Sequence, residues 1–485
     1  MWHIITNTEN NMKRKIILLM ILLFQFILNG QNPKMVKDLR PGIFGSDPYE
    51  LIVFNGKLFF KAADDVSFHV LWEFDGVNDP VKIISDGFYS FNNAFCIYKN
   101  LLFFQKNEEL WSYDGFNQPA KAVNIIQGRD PSNFIVYHDT LFFNSTHEYF
   151  GCELFIYDGI NDAEIFFDIV PGSTYSSPSN YTIYNDVLYF CPISGKEDLW
   201  YYKNNGIDKV NGTENISPYN LFVYNNELFF SGCNEIGNEF WKYNSEMNKV
   251  EYFDLFPGSF LHYDPIDDVY YSIPNSSYPL DFCTYNDTLF FTAIDSLTNQ
   301  RKLWFYTGQG TPQISQHISK DKFDFGNLIV LANCLYFTCN DGIYGEELWC
   351  YNGKNIKLVG DIMHGSGGSQ PRNLIVYNNK LYFSATTQEY GCELWVYDPN
   401  YGVSIPENKI DSNISIYPNP TKGKVTIELA SAIEEVCIAN MSGKIVLKTK
   451  GNNIDLSNLS SGVYIIKVVN KFGEIFERKI VKISQ

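Results

Sequence analysis

The chain has 485 residues, with 55 acidic against 37 basic side chains for a formal charge of −18, and it carries 33 tyrosines and 39 phenylalanines. Such a surface repels phosphates, which excludes a nucleic-acid partner. Aromatic and β-branched side chains suit pleated, half-buried surfaces, and no long helical periodicity competes with them, so an all-β chain is expected; its length calls for several domains unless a repetitive ring accounts for most of it.

Met12 is a candidate true start. After it, Lys13-Arg14-Lys15 precedes an apolar run from Ile16 to Leu28, broken by Gln25, and small residues follow at Asn29-Gly30. A basic head, a short apolar run and a small-residue site describe a secretory signal peptide over residues 1–30. The run falls short of the roughly 20 residues a spanning helix needs, so no transmembrane span is expected in the mature protein. The first cysteine is Cys96, which excludes a lipidated N-terminal cysteine after the apolar run. Most of the ten cysteines are expected as small buried hydrophobes. Cys96 and Cys283 share one repeat position, and Cys152 and Cys392 another; equivalent positions on different repeats are too far apart to bridge. Cys334 with Cys350 is the pairing left open.

A two-part pattern recurs eight times between residues 47 and 398. In its best copy, Asn373-Leu374-Ile375-Val376-Tyr377-Asn378-Asn379-Lys380-Leu381-Tyr382-Phe383 reads as a hairpin, because Asn, Asp and Gly accept the left-handed angles of a tight turn. Gly391-Cys392-Glu393-Leu394-Trp395-Val396-Tyr397-Asp398 reads as a third strand with two aromatics on one face. The first aromatic position runs Trp72, Trp111, Phe155, Trp200, Trp241, Trp304, Trp349 and Trp395. The second runs Phe74, Tyr113, Tyr157, Tyr202, Tyr243, Tyr306, Tyr351 and Tyr397. Six of the seven intervals are 39 to 46 residues, the length of a four-stranded propeller blade, and Trp241 to Trp304 is 63. Fourth strands are expected at Val81–Ile84, Ala122–Ile126, Glu164–Ile169, Val250–Leu255 and Lys357–Ile362, and near Lys209 and Gln313. The eighth is expected at the start of the chain, where Met35-Val36-Lys37-Asp38-Leu39-Arg40-Pro41-Gly42 matches the segments leading to Pro171-Gly172 and Pro257-Gly258. Residues 35–398 therefore predict an eight-bladed β-propeller closed by an N-terminal strand, with seven blades as the alternative.

The copies Glu109-Leu110-Trp111-Ser112-Tyr113-Asp114-Gly115 and Glu347-Leu348-Trp349-Cys350-Tyr351-Asn352-Gly353 resemble the ELWxxDGT repeat proteins of bacteria. They are degenerate, with Val77, Phe116, Ile160 and Lys354 where that family closes on Thr. The resemblance implies architecture and no particular activity.

The long repeat breaks the symmetry. Its segment 257–280 reads as a protruding loop that gathers His262, Tyr263, Tyr270 and Tyr271 as a candidate ligand surface, with Asp264, Asp267 and Asp268 as candidate Ca²⁺ ligands, since hard cations want clustered oxygens and sugars want flat apolar faces. No other cofactor is expected. No zinc-protease helix or Gly-x-Ser-x-Gly elbow occurs, so catalytic residues are assigned to none. A non-enzymatic binding or adhesion module is the first reading, with an unidentified glycan or protein as its ligand. The alternative is a glycan-directed surface hydrolase whose carboxylates converge at the propeller channel.

Residues 399–412 read as a linker. Beyond it, Tyr417-Pro418-Asn419-Pro420 with Gly423, then Leu459-Ser460-Ser461-Gly462-Val463-Tyr464, then Arg478-Lys479-Ile480 resemble the type A C-terminal sorting domain of the type IX secretion system of Bacteroidetes, over residues 413–485. That resemblance implies an immunoglobulin-like β-sandwich and the type IX translocon as partner. It also implies a protein secreted or held at the outer cell surface, whether released or attached to lipopolysaccharide, and a monomer is expected. Short alternating strands between turn residues agree with the sandwich.

Overall fold

The computed structural model describes residues 32–66, 69–84, 95–192, 198–264, 269–315, 324–399, 414–429, 432–440, 445–471 and 475–483. The signal-peptide region 1–30 and linker residues 400–412 lie outside the described residues. Among the described residues every regular element is a β-strand, and no helix is long and apolar enough to cross a membrane. The chain divides into two compact units, 1–399 and 400–485.

The first unit holds eight four-stranded antiparallel sheets. Sheets one to seven follow one another along the chain, at 49–82, 96–121, 128–167, 179–209, 218–253, 280–314 and 324–360. Sheet eight takes three strands from Arg372–Tyr377, Lys380–Thr387 and Gly391–Tyr397, and its fourth is Lys34–Lys37, paired antiparallel with Gly391–Tyr397. Where Ala122–Ile126 was expected as a fourth strand, sheet two has only Ala120–Lys121; the chain then leaves the sheet, and Ile125 bridges to Ala163 of sheet three.

Each sheet begins with a hairpin whose two turn residues have positive φ, as at Asn185 and Asp186 or Asn378 and Asn379. Short amide and carboxylate side chains tolerate that left-handed backbone, and its twist matches the strands it joins. The residue before each Trp-like position (Leu71, Leu110, Leu154, Leu199, Phe240, Leu303, Leu348 and Leu394) is fully buried. The second aromatic of each sheet meets an aromatic of a neighbouring sheet, as in Phe59–Tyr113, Phe103–Tyr157, Phe142–Tyr202, Tyr189–Tyr243, Phe229–Tyr306, Tyr285–Tyr351 and Tyr336–Tyr397. Phe74 of sheet one meets Tyr382 of sheet eight in the same way, with centroids 5.8 Å apart. The second aromatics are therefore structural, placed where edge-to-face and tilted ring contacts join one sheet to the next. Tyrosines ending six of the first strands add a hydroxyl bond to the hairpin turn of the next sheet, from Tyr98 to the carbonyl of Asp139 (2.7 Å) through to Tyr377 and the carbonyl of Gly56 (2.8 Å).

All ten cysteines are free. Cys191, Cys339, Cys350 and Cys392 are buried, Cys233 is exposed and the others are half-buried, with Cys334 and Cys350 unbridged.

The second unit consists of a three-stranded sheet (Ile414–Tyr417, Lys424–Leu429, Asn453–Asp455) and a four-stranded sheet (Ile445–Thr449, Ile433–Asn440, Gly462–Asn470, Ile475–Lys482). Val425, Ile427 and Ile454 from the first share one core with Val436, Ile438, Ile466, Val468 and Ile480 from the second. Alternating apolar residues place one face of each sheet against the other.

Candidate functional site

Two features of the first unit concentrate functional groups: the first strands of the sheets and the connections between sheets. The first strands of successive sheets neighbour one another from sheet two through sheet eight, and the first strand of sheet eight neighbours that of sheet one. Seven first strands carry a residue with positive φ at or beside an irregularity in pairing: Glu50, Asn133, Asn180, Asn220, Asp281, Asn327 and Asn373. Their polar groups stitch neighbours together. The carboxamide of Asn180 accepts from the amide of Asn220 (3.1 Å), and those of Asn327 and Asn373 donate to the carbonyls of Pro371 and Pro48 (3.4 and 3.1 Å). The two acids of the set are also engaged. Glu50 pairs with the buried Lys61 at 2.6 Å, and Asp281 accepts from the hydroxyl of Thr292 at 3.0 Å.

Four further carboxylates lie fully buried at the start of third strands, in Gly-x-Glu segments: Glu153, Glu239, Glu347 and Glu393. Each grips the connection leading to the next sheet. Glu153 accepts the amides of Ile169 and Ser176 (2.8 and 3.1 Å) and the Ser176 hydroxyl (2.6 Å). Glu239 does the same with Leu255 and Ser277, and Glu347 with Met363 and Ser369. Glu393 takes the amides of Leu39, Arg40 and Ser46 and the Ser46 hydroxyl (2.5 Å), tying the last third strand to the start of the chain. Burial raises all four carboxyls, Glu153 and Glu393 to about 7, while the donors partly offset it. These are buried titratable groups, but their oxygens are occupied by the backbone they hold.

In three of these clamps, three residues separate Gly from Ser, as in Gly172 to Ser176. In the Glu239 clamp, eighteen residues (259–276) separate Gly258 from Ser277. They do not form an irregular loop: Ser259–Asp264 and Val269–Pro274 pair as a two-stranded antiparallel hairpin. β-Formers on both sides of a tip provide the physical reason, and among the described residues no third strand joins them. At the base, the Asn275 amide donates to the Gly258 carbonyl (2.9 Å) and its carboxamide to the Pro257 carbonyl (3.0 Å).

The pairing puts Tyr263 opposite Tyr270, with ring centroids 5.1 Å apart, and His262 opposite Tyr271 on the other face. Leu261 and Tyr270 are 72% and 65% exposed, and Phe260, Tyr263 and Tyr271 are also exposed. The structure thus brings His262, Tyr263, Tyr270 and Tyr271 onto one element. Asp264 ends its first strand, and Asp267 and Asp268 lie outside the described residues. Among the described residues no grouping of three His, Cys, Asp or Glu side chains is arranged to hold a metal ion.

In the second unit, Tyr417, Pro418, Asn419 and Pro420 are exposed, and the Asn419 carboxamide accepts from the amide of Val481 (2.9 Å). Tyr464 is buried and donates to the Ser460 carbonyl (2.9 Å), Gly462 pairs with Lys482, and Lys479 pairs with Ile465. The Gly423 carbonyl accepts from the amide of Leu456. The motif thus marks turns and strand pairings spread over both sheets.

Residues 415–482 match the family described as the secretion system C-terminal sorting domain. The chain therefore carries a type IX sorting domain, and this supports export by that system to the outside or the surface of the cell. No curated protein matches the chain. Among solved structures, the chain is similar to the computationally designed Ika8 protein, at TM-score 0.45 and 12% identity over 73% of this chain and 96% of that one. It is also similar to a post-proline cleaving enzyme from Rickettsia typhi, at 0.44 and 11% over 70% of this chain and 57% of that one. A third is the extracellular domain of a putative one component system from B. thetaiotaomicron, at 0.40 and 11% over 93% and 59%.

Proposed function

We propose that the protein is a non-catalytic binding module exported by the type IX system, in which residues 35–398 form an eight-bladed β-propeller of degenerate ELWxxDGT type and the sorting domain is an immunoglobulin-like sandwich. Support for the ring comes from the aromatic and hydroxyl contacts that join sheet eight to sheet one as they join other neighbouring sheets, and from the pairing of Lys34–Lys37 with the last third strand. A ring of sheets built in this way leaves only short, protected sheet edges.

The observation that carries the binding reading is the exposed tyrosine-bearing hairpin mounted on the Glu239 clamp. Monomeric surfaces seldom present clustered large aromatics that their own fold does not need, and such clusters mark interaction sites. Its strands hold no Lys or Arg and one acid, Asp264, which suits an uncharged polymer better than an anionic one. The hydrolase alternative needs free carboxylates facing a cavity; the first-strand acids Glu50 and Asp281 and the four clamp glutamates are engaged in bonds within the fold and do not supply them.

The test compares the mature chain with a variant in which residues 259–276 are replaced by Ser-Thr-Tyr, the connection of the Glu153 clamp, on polysaccharide arrays with and without Ca²⁺. Saturable binding by the parent that the shortened chain loses, with no release of reducing ends, is the expected result. Release of sugar would establish the hydrolase instead.

A further inference from the structure

A cavity of about 510 Å³ opens between sheets four and five, around the hairpin turn of sheet four and the turn between the last two strands of sheet five. Its volume falls in the range of small-molecule sites, roughly 300 to 1,000 Å³. In sheet five, Phe253 lies opposite Phe240 and packs on Tyr306 of sheet six at 5.5 Å. In sheet four the corresponding residue is Val210, held by its amide to the Leu199 carbonyl, and it lines the cavity.

Three tyrosines line that gap as a bent row: Tyr201 lies 6.1 Å from Tyr189, and Tyr189 lies 6.0 Å from Tyr243, centroid to centroid. Its rim carries Lys203 and Asn211, both exposed and without a side-chain bond among the described residues, and Ser245, which accepts from the carboxamide of Asn185 at 3.0 Å. The charges nearly cancel: Lys209 is paired with Asp198, and the lining also holds one further cation, Lys203, and one anion, Glu246, which accepts from the carboxamide of Asn226. Flat aromatic faces beside amide, hydroxyl and ammonium donors, with little net charge, are the chemistry that holds a neutral hydroxylated ring.

We infer that the cleft between sheets four and five is a binding site for one neutral sugar residue, with Tyr201 as its stacking platform. The residue facing the cleft at position 201 has a counterpart in every sheet, read from strand register: Glu73, Ser112, Ile156, Lys242, Phe305, Cys350 and Val396. Five of the eight, Tyr201 included, pack at least partly on the apolar core beside them, and Tyr201 also lines the cleft. The cleft lies at the end of the strands away from the 259–274 hairpin, so this site goes beyond the hairpin reading and stands or falls separately from it.

The experiment is saturation-transfer NMR on the full secreted chain with the methyl glycosides of glucose, galactose and mannose and with methyl glucuronide. Transfer to at least one neutral glycoside is expected. Tyr201→Ser, which installs the residue sheet two already uses, should weaken it about tenfold or more, and Tyr201→Phe should retain it. Asn211→Trp, at an exposed rim position, should block the cleft and abolish transfer even if Tyr201→Ser proves unstable. The chain with the hairpin excised should bind these glycosides normally, whatever happens to its polysaccharide binding. No transfer to any neutral glycoside, transfer to the glucuronide alone, or transfer that survives both Tyr201→Ser and Asn211→Trp would overturn the assignment.

Discussion

The clamps of sheets three and five have the same parts and different cargo. Glu153 and Glu239 each accept two backbone amides and a serine hydroxyl at nearly the same distances, yet one spans three residues and the other an eighteen-residue segment with an aromatic hairpin. The fastening is what the fold requires, and the length between its two jaws is free to vary. Function is then to be sought in the insert and structure in the carboxylate, and each half of that division can be tested.

The largest effect should come from Glu393→Ala. Three amides and a hydroxyl, two of the donors on Ser46, would lose their buried acceptor, and the join between the ends of the unit would fail. A loss of about 3 to 5 kcal/mol in urea unfolding is expected. Gly237→Ala should follow, at about 2 to 3 kcal/mol, because its φ is +104° and an added methyl would overlap the backbone oxygen of Asn275. The pH dependence comes next. Glu153 and Glu393 bind their protons more tightly folded, at about 7, than as free side chains near 4.5. The folded state therefore takes up protons at these two groups between those values, and their contribution to stability is fully present below about 4.5 and is lost as pH rises through 7. Denaturation midpoints measured across that window should show the slope for the parent and a flatter one for Glu153→Gln. Excision of the hairpin by the Ser-Thr-Tyr replacement should cost less than about 1 kcal/mol, since the jaws of the clamp remain. Tyr263→Ala with Tyr270→Ala should be the mildest, within about 0.5 kcal/mol, while removing polysaccharide binding. A large loss of stability in either hairpin variant would break the division.

Much of this was legible in the sequence because repetition makes a weak signal strong. One aromatic two residues before another means little, but eight such pairs mark eight third strands, and the Asn-rich turns mark the hairpins before them. Lys34–Lys37 could be placed because its Asp-Leu-x-Pro-Gly continuation resembles the segments after Phe167 and Phe253. The clamps were not legible, since Glu153 and Ser176 lie 23 residues apart and Glu393 and Ser46 lie 347 apart, and nothing local links a glutamate to its serine. The hairpin was read as a loop because its strands alternate aromatics with Ser and His, without the apolar face that identifies a buried strand. The cleft depends on register: only pairing with Tyr189 separates Tyr201, which faces the gap, from its neighbour Tyr202, which packs against Phe142 of sheet three.

The pairing of Lys34–Lys37 with Gly391–Tyr397 also sets an order of events. Seven sheets need only strands that follow one another closely, and each can form as soon as its own residues are available. Sheet eight can form three strands in the same way, but its fourth needs the two ends of the unit at once, and bringing together residues some 354 apart costs on the order of 5 kcal/mol in loop closure. The contact order of that last step is the highest in the molecule, so it is expected to be the slow phase of folding. A chain held open at either end, whether by a translocon or by a truncation, would leave sheet eight at three strands.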